Sequence, residues 1–62
     1  MIKLIILIEN EFGVVRQLVV FSDGGLGLQR NGYYVMISRD KFDSIITKAE
    51  EQKCSIYYYE RV

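Results

Sequence analysis

Few side chains in this chain carry reactive chemistry, and their spacing narrows what they can do. Cys54 is the only thiol, and there is no histidine. A nucleophilic thiol needs an activating base or cation; none can be assigned to Cys54, which reads as a small apolar residue opening a strand. No metal is expected, because Cys54 has neither a second thiol nor an imidazole to complete a ligand set. Asp40, Asp43, Glu50 and Glu51 fall mainly on the outer side of a helical segment. There they solvate the helix rather than form the dry pocket that acid–base work requires. Ser22-Asp23-Gly24-Gly25-Leu26-Gly27 has the glycine content of a phosphate loop. Such loops open a helix whose amides point at the phosphate, whereas here a strand pattern follows. The stretch therefore reads as a turn, with Asp23, Gly24, Gly25, Gly27 and the nearby Arg30 available as a loop for a ligand or partner. No catalytic residue and no cofactor is expected, and enzyme ranks last among the function classes.

The element that must organise such a chain is its one helix, predicted over about residues 38–53. Phe42, Ile45, Ile46 and Ala49 recur at helical spacing and form one apolar stripe. Ser38 suits the N-cap, Ile37 can pack on Phe42 from outside it, and Lys53 suits the negative pole at the far end. Asp43 and Glu50 flank one side of the stripe and Lys41 and Lys48 the other, a segregation able to guide docking.

The rest alternates like strand. Ile2–Glu9 is apolar on both sides, with Ile2, Leu4, Ile6 and Ile8 opposite Ile5 and Leu7, as in an internal strand. Val14–Ser22 follows a short connection at Gly13. A two-residue turn at Asp23-Gly24 pairs Phe21 with Leu26 and Val19 with Leu28; Asn31-Gly32 pairs Leu28 with Val35 and Leu26 with Ile37. These registers put Val15, Val19, Phe21, Leu26, Leu28, Val35 and Ile37 under the helix. The glycines at 24, 25 and 27 leave the third strand short or replaced by a loop. Ser55–Arg61 is the last strand. Spatial order 5-1-2-3-4 is preferred because it makes the first strand internal; the alternative sets the last strand parallel to the fourth by a right-handed crossover. The expected fold class is α+β: one antiparallel sheet of four to five strands, one helix on one face, and a single small domain over residues 1–62.

A chain of this length buries only about 60% of its unfolded surface, and oligomerisation is a common reinforcement. Eight basic and eight acidic residues cancel, which disfavours electrostatic capture of nucleic acid or membranes. The apolar start is too short for a signal peptide and runs into Glu9 and Glu11. With no membrane segment and one cysteine, the cytoplasm is the expected compartment.

One helix covers one face only. The open face is expected to carry Val14, Leu18, Val20, Tyr34 and Met36, with Ile5, Leu7 and some tyrosines. Monomers rarely leave that much contiguous apolar area in water. The expected function is non-enzymatic binding: an inhibitor, adaptor or assembly subunit. Its partners are expected to be a second copy and another protein, met through Leu18, Val20, Tyr34, Met36, Tyr57 and Tyr59 or through an edge strand.

Two alternatives come from the tyrosines and the glycine loop. Arg30-Asn31-Gly32-Tyr33-Tyr34-Val35 resembles the aromatic strand motif of RNA-recognition-motif domains, with a helix and a strand following. That resemblance implies single-strand nucleic-acid binding through Arg30, Tyr33 and Tyr34. The chain lacks one residue between the tyrosines and the length for the family's two helices. A small-ligand binder, holding a nucleotide at an oligomer interface near the glycine loop, is the other alternative.

Overall fold

The computed structural model describes residues 1–61. Five strands and one helix follow the order ββββαβ: β1 (Ile2–Glu9), β2 (Val15–Phe21), β3 (Leu26–Arg30), β4 (Tyr33–Met36), α1 (Arg39–Glu51) and β5 (Ser55–Glu60). The strands form one antiparallel sheet of order β4-β3-β2-β1-β5. The fold is α+β with the last strand beside the first, so the crossover alternative is not adopted. β1 is internal, as its two-sided apolar pattern requires.

Helix α1 starts where Ser38, extended at φ −76° and ψ 162°, accepts a hydrogen bond from the Lys41 amide at 3.2 Å. That bond satisfies one of the donors a first turn leaves unpaired. The helix stops short of the expected Lys53. Lys53 itself is left-handed (φ 58°), its N–H donating to the Glu50 carbonyl at 3.1 Å and the Cys54 N–H to the Ala49 carbonyl at 2.9 Å. This is a Schellman closure, with lysine where glycine is usual. Phe42, Ile45 and Ala49 are buried and Ile46 is half-buried against the sheet. They cluster with Ile6, Ile8, Leu18 and Leu26, around which Leu4, Val20, Leu28, Ile37, Cys54 and Ile56 pack.

The two β-hairpins that involve β3 turn differently. Asn31 (φ 49°) and Gly32 (φ 85°) form the expected two-residue turn, and Leu28 lies opposite Val35. Both turn residues are left-handed, the combination that fits the twist of adjoining strands. The turn between β2 and β3 is one residue longer than expected. The Phe21 carbonyl accepts from the Gly24 N–H at 2.9 Å, and the Phe21 N–H donates to the Gly25 carbonyl at 2.8 Å. Gly24 takes φ 93°, and Asp23 Oδ1 accepts from the Gly25 N–H at 2.9 Å. Three residues, Ser22 to Gly24, thus form the loop, and Val20 lies opposite Leu26 and Leu18 opposite Leu28.

A one-residue slip sends every side chain of a strand to the other face. Leu18 and Val20 therefore lie on the helix side, and Val15, Val19 and Phe21 lie on the open side, the reverse of expectation. Leu26, Leu28, Val35 and Ile37 face the helix as expected. The glycines do not dissolve β3, which runs five residues. A bulge between Ile2 and Leu4 sets Ile2 opposite Phe21 and breaks the alternation at the start of β1.

Candidate interaction surface

The open face is built from alternate positions of all five strands. Tyr59 lies opposite Ile5, Ile5 opposite Val19, Val19 opposite Gly27, and Gly27 opposite Met36. One row of paired positions thus crosses the whole sheet, interrupted at Gly27, and Tyr57 opposite Leu7 begins the next. Four of the six residues expected at an interface, Tyr34, Met36, Tyr57 and Tyr59, stand on this face. Leu18 and Val20 do not: Leu18 is fully buried beneath the helix, and Val20 packs against the same core. On the open side of β2 lie instead Val15, Val19 and Phe21, which the sequence placed under the helix; of these Val15 is exposed, Phe21 half-buried and Val19 fully covered.

The glycines explain how this face is assembled. Gly25 and Gly27 point no side chain outward, and bulky neighbours lean into the space. A Cβ built on Gly27 would sit 2.9 Å from Val19 Cγ2 and 3.1 Å from Phe21 Cε2; one on Gly25 would sit 2.9 Å from Met36 Cε. Phe21 meets Tyr34 edge to face, with ring centroids 5.9 Å apart at 86°, a geometry aromatic pairs favour. The Tyr34 hydroxyl accepts a long hydrogen bond, 3.4 Å, from Gln17 Nε2. Aromatic cover over strand glycine is a recognised way to hold register, and here it makes Val19 as inaccessible as Leu18 without any helix above it.

The remainder of the face is open. Met36 is 61% exposed, Val15 52%, Tyr59 50% and Tyr57 46%. The chain exposes 4738 Å², against about 4,200 Å² for a compact monomer of 7.3 kDa. Charge is confined to the rims, with Glu9 at one end of β1 and Lys3 at the other. Beside Lys3 lies Arg61, whose N–H donates to the Lys3 carbonyl at 2.8 Å.

The proposed loop set does not converge. Asp23 and Gly24 belong to the β2–β3 turn, whereas Arg30 ends β3 at the opposite end of the strand and lies opposite Tyr33 on the helix side. Tyr33 and Tyr34 accordingly face opposite sides. With one helix and the order ββββαβ, the chain lacks the architecture that the RNA-recognition-motif resemblance implies. Among the described residues no helix is long and apolar enough to cross a membrane. The chain matches no family model, and no curated protein or solved structure is significantly similar to it.

Proposed function

We propose that this protein acts by binding rather than by catalysis, and that its open sheet face is where a second copy docks. The observation that carries this reading is that Val15, Met36, Tyr57 and Tyr59, drawn from β2, β4 and β5, stand 46–61% exposed on one sheet face with charge only at its rims. Contiguous apolar area of this kind is disfavoured in water and suits an interface core rich in tyrosine and methionine. A second copy fits it by symmetry. A two-fold axis across the strands brings Glu9 of one copy over Lys3 and Arg61 of the other, and places no like charges opposite one another. Closing the face in this way supplies the second apolar layer that a small sheet with one helix lacks. An assembly of this kind serves as an inhibitor, adaptor or structural subunit of a larger partner.

Light scattering across a micromolar concentration series tests it. The wild-type chain is expected at twice its monomer mass. Met36→Glu, which puts a charge at the most exposed apolar site of the face, is expected to run as a folded monomer. A wild-type chain that is monomeric throughout the series refutes the self-association.

A further inference from the structure

We infer that the junction of helix and sheet, on the side away from the open face, is a binding site for a small phosphorylated molecule. Between α1 and the β1–β2 hairpin lies a cleft of about 420 Å³ whose floor includes Ile8, Ile45 and Ala49 and whose walls carry Arg16, Lys41 and Lys48. A second hollow of about 370 Å³ adjoins it, with Arg30 and again Lys41 in its walls. Four of the chain's eight basic residues thus line these two hollows, and none of its eight acidic residues does. The chain as a whole is neutral, but the charged residues lining these hollows are all basic.

Among the described residues no carboxylate lies within ion-pair distance of Arg16, Arg30, Lys41 or Lys48; the only ion pair there joins Arg39 to Asp43, 3.4 Å apart on the exposed helix. Cations gathered in a cleft with a low-dielectric wall focus the field and concentrate anions. The guanidinium of Arg16 offers the planar fork that suits phosphate oxygens, and the two lysines add mobile point charges. The apolar floor suits the body of the ligand, and the volume falls within the range of about 300–1,000 Å³ usual for small-molecule sites. A phosphate on a compact planar or apolar body, as in a nucleoside monophosphate, matches both halves of the cleft.

Isothermal titration at low salt with inorganic phosphate, AMP and glucose 6-phosphate tests the assignment and separates the sources of phosphate. Saturable binding of at least one organic phosphate is expected, tighter than inorganic phosphate and weakened by added salt. Arg16→Ala and Lys41→Ala are each expected to weaken it about tenfold, with Lys53→Ala, a cation outside the cleft, within about twofold. All three side chains are exposed, and a thermal melt of each variant verifies the fold. Absence of saturable binding to all three probes at millimolar concentration overturns the inference. So does weakening by Lys53→Ala equal to that by Arg16→Ala and Lys41→Ala. Since the cleft and the open face lie on opposite sides, Met36→Glu is expected to leave this binding intact.

Discussion

Leu18 and Val19 are neighbours in β2 and both are fully inaccessible, yet they are buried by different means. Leu18 lies in the cluster closed by Phe42, Ile45 and Ala49 of the helix. Val19 lies on the open face, between Ile5 and Gly27, and is shielded by Phe21 reaching over a strand that has no side chain there. One side of the sheet is sealed by a separate element, whereas the other is sealed locally and only over β2 and β3. Towards the edges β4 and β5 that cover gives out, and Met36, Tyr57 and Tyr59 stand about half exposed. A helix therefore supplies stability, and an incomplete patch of aromatic cover supplies a surface.

This contrast can be broken at graded cost. Leu18→Ala opens a cavity beneath the helix and is expected to cost about 2–5 kcal/mol. A small domain has roughly 5 kcal/mol in all, so urea denaturation should find the variant largely unfolded or close to it. Gly27→Ala strikes the open side. The added methyl must displace Val19 and Phe21, with an expected loss of about 1–3 kcal/mol from overpacking. An unchanged denaturation midpoint would show that Phe21 does not pack over β3. Smallest is Lys53→Gly, which relieves a left-handed lysine at the helix end. A gain of about 1 kcal/mol is expected as a rise in melting temperature; a fall would mean that the lysine side chain contributes more than its backbone strain costs.

The two β3 turns also mark how far the fold was legible in the sequence. Asn31-Gly32 was decisive because both residues tolerate positive φ and only two residues separate the apolar runs. At Ser22–Gly24 the turn composition allowed either two or three loop residues. Alternation could not decide between them, since Leu18 and Val20 are as apolar as Val19 and Phe21. A signal did exist in the spacing of Gly25 and Gly27. Two glycines on one side of a strand whose other side carries Leu26 and Leu28 mark the glycine side as the one away from the core. The helix, its stripe and its N-cap at Ser38 were legible because helical spacing and capping chemistry are local. The cationic cleft was half legible: Lys41 and Lys48 share a side of the helix, but only the fold brings Arg16 beside them.

The three tyrosines of β5 provide the most direct test of the open face. Tyr57 and Tyr59 point to it, whereas Tyr58, opposite Ile6, points to the helix side; all three are 46–57% exposed. Molar mass should therefore be measured by sedimentation equilibrium for Tyr57→Lys, Tyr58→Lys and Tyr59→Lys at one micromolar concentration. Docking through the face predicts monomers for Tyr57→Lys and Tyr59→Lys, and a mass unchanged from wild type for Tyr58→Lys. Equal masses for the three variants, whether all monomeric or all associated, would contradict it.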